Sequence, residues 1–186
     1  MKIIGGKFKS KQLVPPEGAQ TRPTLNRIKE NLFNILGHKF CVDFQESKVL
    51  DLFAGSGALG IECYSRGAPS VTFVDNDDAA IKAIQQNTKS FESKQINIKQ
   101  ESVLKFLKKK GAPYDLVLMD PPYDKNIITP SLTALYENNW VGENSVIIVE
   151  AAKGNTFECP SFFEILDTRT YAKTTLSFLR VKADTP

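Results

Sequence analysis

The sequence predicts an α/β domain built on a mostly parallel sheet, and three observations carry that prediction. From Lys48 onward, short apolar strand-like runs alternate with segments of helical periodicity. Such alternation implies parallel strands joined by right-handed crossovers, with helices on both faces of the sheet. A glycine-rich turn, Gly55-Ser56-Gly57-Ala58-Leu59-Gly60, directly follows the first of these strands. After the fifth strand no helix signal returns: Phe162 to Arg169 and Thr174 to Lys182 are β-rich runs separated only by a turn around Tyr171-Ala172-Lys173, a hairpin that makes one strand antiparallel.

The elements follow in order. Lys2 to Gly6 and Lys11 to Val14 flank a glycine- and lysine-containing turn and predict a small hairpin, ended by Pro15-Pro16-Glu17-Gly18. A helix is expected after Arg22-Pro23, with Thr24 as N-cap and Leu25, Ile28, Leu32, Ile35 and Leu36 along one face; its other face carries Arg27 and Lys29. Strands are expected near 48–53, 70–75, 95–99, 114–119 and 145–150, with helices near 57–66, 77–91, 102–110 and 126–138. The domain division that follows is a basic extension over 1–22 and one α/β domain over 23–186.

Composition narrows the function classes. The three cysteines, Cys41, Cys63 and Cys159, are widely spaced and have no histidine cluster beside them, so neither a disulfide framework nor a metal site is expected. No run approaches the roughly 18 apolar residues of a membrane span, and MKIIGGKFKSKQL lacks a signal-peptide pattern, so a cytoplasmic location is expected. The first 40 residues hold eight Lys/Arg against Glu17 and Glu30, a net of +6, while the other 146 hold 16 basic against 19 acidic residues, a net of −3. Basic charge gathered at one end is the footprint of a phosphate-contacting element, with Lys7, Lys9, Lys11, Arg22 and Arg27 as its candidates.

The glycine turn satisfies G-x-G-x-x-G between a strand and a helix, which taken alone also fits a nicotinamide dehydrogenase. Glycines allow close backbone approach to a ligand, and Asp75, ending the second strand, can accept both hydroxyls of a ribose. Asp51 tips the balance. At the end of the first strand and aimed toward the loop, its carboxylate would oppose a pyrophosphate but suits the ammonium and sulfonium of S-adenosylmethionine. Asp77 and Asp78 add negative charge beside Asp75. The expected cofactor contacts are Asp51, Phe53, Gly55, Ser56, Gly57, Asp75, Asn76 and Asp120.

Some sixty residues on, Asp120-Pro121-Pro122-Tyr123 follows the buried-strand pattern Leu116-Val117-Leu118-Met119. Consecutive prolines restrict the backbone and remove donors, leaving a rigid turn with free carbonyl oxygens. An exocyclic base amine is a poor nucleophile because its lone pair is delocalised into the ring. Asp120 and the Pro121 carbonyl can accept its two hydrogens and turn the lone pair toward a methyl donor, while Tyr123 stacks on the base.

VLDLFAGSGALGIE over Val49 to Glu62, VTFVDND over Val71 to Asp77 and DPPY over Asp120 to Tyr123 resemble class I S-adenosylmethionine-dependent methyltransferases. IIGGKFKSKQL with TRPTLNRIKENLFNIL, Thr21 to Leu36, resembles more narrowly the bacterial 16S rRNA guanine-N2 methyltransferases of the RsmD family, and ILDTRTYAKTTLSFLRV extends the likeness to the C-terminus. The resemblance implies a Rossmann-like, seven-stranded sheet with a C-terminal antiparallel hairpin, S-adenosylmethionine as cofactor, no metal, 16S rRNA or the small ribosomal subunit as partner, and a monomer. The chain departs from the family where an Asp usually receives the cofactor's adenine. Here the segment reads Gln100-Glu101-Ser102, leaving Glu101 and Ser102 both as candidates. Adenine-amine methyltransferases share DPPY, so that target stays open beside guanine. Two other classes, a nicotinamide oxidoreductase and a non-catalytic RNA-binding module, remain as alternatives.

Overall fold

The computed structural model describes residues 1–18, 24–91, 93–122 and 126–183; of Thr24 to Asn26 and Ser93 it describes the backbone. Thirteen elements follow the chain: α1 (Thr24–His38), β1 (Lys48–Leu52), α2 (Ala58–Ser65), β2 (Ser70–Asp75), α3 (Asp78–Thr88), a 3-10 turn (Ser93–Gln95), β3 (Ile96–Gln100), α4 (Val103–Leu107), β4 (Leu116–Met119), α5 (Ile128–Glu137), β5 (Val146–Ala152), β6 (Phe163–Thr170) and β7 (Thr174–Val181). Alternating strand and helix patterns thus become the expected elements, with ends shifted by a residue or a few.

The strands form one sheet in the order β3-β2-β1-β4-β5-β7-β6. β1 to β5 pair in parallel, and β7 runs antiparallel to both β5 and β6. Order reverses between β1 and β4, so a crevice opens outside their carboxyl ends, where ligands bind in sheets of this kind.

Near-continuous apolar strands such as LVLM in β4 are buried on both faces, as a covered parallel sheet requires. Leu32, Phe33 and Leu36 of α1, Ile61 of α2 and Ile84 of α3 pack on one face, against Val49, Leu118 and Ile148. Val103, Phe106 and Leu107 of α4, with Leu132 and Leu135 of α5, cover the other, against Leu50, Met119 and Val149. Asp51 follows Leu50 and so points, with Val49, toward the α1 side.

The N-terminal segment is a turn with a single antiparallel bridge, Lys2 to Gln12, in place of two regular strands. It is bound tightly to the sheet domain. Ile3 and Leu13 are buried in the same core as α1. The Ile4 and Gly5 amides donate to the two carboxylate oxygens of Glu62 at 2.8 and 2.7 Å, and Lys7 N–H donates to the Ser65 carbonyl at 2.6 Å. Gly6, at φ 73°, permits that approach, because a Cβ there would lie 1.7 Å from the Ser65 carbonyl oxygen. Glu62 is fully buried and also receives Arg66 at 3.0 Å and Lys29 at 3.3 Å. Lys29 therefore does not join Arg27 on the solvent face of α1. Its ammonium is buried, donating to the Lys2 carbonyl at 2.7 Å, because a buried carboxylate needs a close cation.

Candidate active site

β1 ends in Asp51-Leu52 and delivers the chain into a turn in which Phe53 adopts φ 58°. That left-handed conformation costs a non-glycine residue on the order of 1–3 kcal/mol, a strain typical of ligand-binding turns. The glycines divide the remaining work. A Cβ at Gly55 (φ 55°) would meet nothing within 4 Å, so this residue lines open space. At Gly57 (φ 75°) it would meet Phe73 at 3.1 Å and Ile61 and Ile84 at 3.3 Å. Gly57 was expected to contact the cofactor; its missing side chain makes room for the core, whereas Gly55 faces open space. Gly60 is likewise a packing position, where a Cβ would crowd Phe73 at 2.5 Å and the Asp51 carboxylate at 2.9 Å.

Asp75 orients this loop. Its Oδ2 accepts Gly55 N–H and its Oδ1 accepts Asp77 N–H, both at 2.9 Å. On α3, the Asn87 amide donates to the Ser56 carbonyl and the Val14 carbonyl, each at 2.9 Å, tying the glycine loop to the N-terminal segment.

Three clefts meet around the end of β4. One, of about 490 Å3, is lined by Phe53, Gly55, Asp75, Asn76, Ser102 and Val103 together with Asp120 and Pro121. A second, of about 170 Å3, lies between the start of α1 (Ile28, Lys29, Leu32) and Asp51, Ser56, Asp120 and Glu150. The third, of about 400 Å3, opens between Pro121, Pro122 and α5 on one side and Glu150, Asn155 and Phe157 on the other. Asp120 borders the first two, Pro121 the first and third, and Glu150 the second and third.

Of the two candidates after β3, Ser102 lines the largest cleft and begins α4 without using its hydroxyl as a cap. The neighbouring Glu101 is paired with Lys109 instead. Tyr123 and Arg22 lie outside the described residues. Among the basic candidates, Lys7, Lys9 and Arg27 are exposed. Lys11 is committed elsewhere: its ammonium donates to the Asn87 carbonyl at 3.3 Å and to the Ser90 hydroxyl, and sits 4.4 Å from the centre of the Phe91 ring.

The electrostatics of the site are acidic. Asp51 is 2% exposed, and burial pushes its carboxyl up to about 8, with the nearby Asp75 charge adding to the rise and the Gly60 N–H, at 2.9 Å, opposing it. Burial raises Asp120 as well, reinforced by Glu150 and Asp51. The Asp120 side chain is still open to cleft solvent, and that contact moderates its rise. Burial raises Glu150, while the Thr174 hydroxyl, donating to its Oε1 at 3.1 Å, lowers it. Glu150 was missed in the sequence. Its signal was available as the single charge in VIIVEAA, a strand otherwise without polar residues.

Among the described residues no group of His, Cys, Asp and Glu side chains is placed to hold a metal, and no helix is long and apolar enough to cross a membrane.

Comparison with known proteins gives this geometry a family. Residues 1–180 match the model for conserved hypothetical protein 95. The chain is 34% identical over 155 residues to ribosomal RNA small subunit methyltransferase D of Escherichia coli strain K12, covering 83% of this chain and 76% of that one. The protein of the same name from Haemophilus influenzae is 34% identical over 174 residues, 91% of this chain and 88% of the other. Among solved structures, a putative methyltransferase from Escherichia coli superposes with a TM-score of 0.87 at 28% identity over 99% of both chains. A putative methylase from Haemophilus influenzae gives 0.80 at 31% identity over 97% of both. A family model matching residues 1–180, relatives 34% identical over most of both chains and a superposition over nearly the whole length together show that the chain belongs to the RsmD family of methyltransferases and has the class I methyltransferase fold.

Proposed function

We propose that the protein transfers a methyl group from S-adenosylmethionine to the exocyclic 2-amino group of a guanine in 16S rRNA, within the assembled or assembling small ribosomal subunit. The observation that carries this reading is the position of Asp120 and Pro121, at the carboxyl end of β4 where the three clefts meet. The cofactor's adenosine fits the largest cleft, with Asp75 toward the ribose and Ser102 toward the adenine. Its methionine portion fits the smaller cleft, with its ammonium at Asp51. The residues suit that cargo: Gly55 leaves the cradle open, the Ser102 hydroxyl makes no cap bond, and a buried carboxyl at Asp51 gains most from a cation.

When bound, the cofactor supplies an electrophilic methyl on a sulfonium. The protein's part is to hold the amine. Asp120 and the Pro121 carbonyl accept hydrogen bonds from its two N–H groups, so that the nitrogen pyramidalises with its lone pair facing the cofactor cleft; once methylated, the cationic nitrogen gives up one of these protons through Asp120 to cleft solvent. These acceptors are fixed before reaction, so charge developing on nitrogen meets dipoles that need no reorganisation. Proline at 121 and 122 keeps the turn rigid. The exposed Lys7, Lys9 and Arg27 are the proposed phosphate contacts, and Tyr123, outside the described residues, is the proposed stacking partner of the base.

The test combines labelled S-adenosylmethionine with separated ribosomal particles and maps the modified nucleoside. Asp120→Ala should lower the methylation rate about a hundredfold or more, some 2.7 kcal/mol of transition-state stabilisation, while cofactor affinity stays within a few fold. Wild-type turnover in that variant would remove Asp120 from the chemistry, and a label at any position other than guanine N2 would overturn the target.

A further inference from the structure

The proposed mechanism holds the amine with one carboxylate, Asp120, yet a second, Glu150, borders the same cleft. β4 and β5 pair in parallel with Met119 opposite Val149, so the residues that follow stand in step: Asp120 just past the end of β4, and Glu150 beside it within β5, which runs on to Ala152. Adjacent strands lie about 4.8 Å apart, which sets the spacing of their backbones there. Met119 and Val149 face the α4–α5 side, so Asp120 and Glu150 both turn to the opposite side, toward the clefts. Glu150 is only 8% exposed, a costly place for a carboxyl without partners. Its Oε1 is held by Thr174 at 3.1 Å, whereas among the described residues Oε2 has no hydrogen-bond partner and no lysine or arginine pairs with the group. The residue borders both the cleft shared with Asp51 and Asp120 and the cleft walled by Pro121, Asn155 and Phe157.

We propose that Glu150 is a base-edge binding site that accepts the N1–H of guanine, and so selects guanine over purines lacking that hydrogen. This rests on the amine-holding role of Asp120 and Pro121. In guanine the ring N1–H is the immediate neighbour of the 2-amino group, so a base whose amine is held at Asp120 projects a second donor beside it. Glu150 is the neighbouring acceptor in the fold. Adenine presents the reverse pattern, with a lone pair on N1 beside its 6-amino group, and that lone pair would face the carboxylate. A site built to receive an N–H rejects an analogue that lacks it far more strongly than an apolar pocket rejects a missing methylene, because the buried polar group is left unpaired.

The probe is 2-aminopurine, which keeps the 2-amino group and has a bare N1. Small-subunit particles are reconstituted with guanine or 2-aminopurine at the mapped position, and single-turnover methylation is measured for wild type, Glu150→Gln and Glu150→Ala, with cofactor affinity and thermal midpoint as controls. Wild type should favour guanine about a hundredfold or more. Glu150→Ala should narrow that ratio to within a few fold. Glu150→Gln keeps the volume and the Thr174 partner while offering an amide N–H to a bare N1, and should narrow it at least tenfold. A wild-type enzyme that methylates both bases equally, or a folded Glu150→Ala that retains the full ratio, would overturn the assignment while leaving amine methylation in place. A wild-type label mapping to a base other than guanine would remove both readings together.

Discussion

With the cofactor's ammonium at Asp51, as proposed, cofactor affinity should depend on pH. In the folded chain the Asp51 carboxyl is pushed up to about 8, so roughly 1% is ionised at pH 6, a tenth at pH 7 and half at pH 8. A cationic cofactor favours the carboxylate, and binding below pH 8 should therefore expel a proton. Affinity should rise by up to about tenfold per pH unit from pH 6, then flatten near 8, where an α-amino group begins to lose its own proton. Over pH 6 to 8 the full gain is about fiftyfold, near 2.3 kcal/mol. Asp51→Asn keeps an oxygen for the Gly60 N–H and removes the titration. Calorimetry of S-adenosylmethionine binding, in buffers of different ionisation enthalpy, should show proton release in wild type and little in the variant. At pH 8 the variant should bind about ten- to a hundredfold more weakly, the usual worth of a charge-assisted hydrogen bond of about 1.5–3 kcal/mol. A wild-type affinity flat from pH 6 to 8 would refute the reasoning; an unchanged slope in Asp51→Asn would move the proton to Asp120 and Glu150.

The two loop glycines should fail differently. Gly57→Val forces a β-branched residue to φ 75° against Phe73, Ile61 and Ile84, and should lower the thermal midpoint, whereas Gly55→Val should abolish detectable cofactor binding with a smaller loss of stability, since its side chain points into open space. Scanning calorimetry beside binding isotherms separates them, and a Gly57→Val protein of wild-type stability would contradict the packing assignment. For RNA contacts, Lys7→Ala with Lys9→Ala should reduce the slope of log affinity against log salt by up to about 2, one for each phosphate released, with cofactor affinity unchanged; an unaltered slope would place the phosphate contacts elsewhere.

Much of the fold was legible because its signals are local and repeated. Alternating strand and helix patterns fixed the sheet, and the absence of a helix signal between β6 and β7 gave the antiparallel end. Asp51, Gly55, Asp75 and Asp120 could be placed together at the clefts because each lies at or near the end of a strand or in the turn beyond one, where chain position alone sets placement. The misread residues share a different character. Lys29 looks like a solvent-facing lysine until Glu62, 33 positions on, is brought beneath it by α2. Lys11 looks free until Asn87, Ser90 and Phe91 surround it. Gly57 and Gly55 are equivalent in a motif, and only the packing of Phe73 tells them apart. Each depends on a partner distant in sequence, which periodicity does not encode.

The N-terminal segment illustrates why the basic charge and the core cannot be treated as separable layers. Deleting it would take Ile3 and Leu13 from the core and two backbone donors from buried Glu62, so loss of RNA affinity would be mixed with unfolding. The same network explains the charge of the cleft. Lys29 reaches the cleft wall beside Asp51, Asp120 and Glu150, but its ammonium is spent on Glu62 and the Lys2 carbonyl, and burial pulls its pKa below that of an ordinary lysine. Among the described residues, then, none of the three cleft carboxyls has a protein cation paired with it. Such a group is stable while protonated and loses stability as pH rises toward its raised folded-state pKa, the opposite sign to a salt-bridged carboxylate. A fold that wanted only stability would place apolar residues at these positions near the carboxyl ends of the strands. Retaining three acids there makes sense if what enters the clefts brings the missing partners: a cation for Asp51, and hydrogen-bond donors for Asp120 and Glu150.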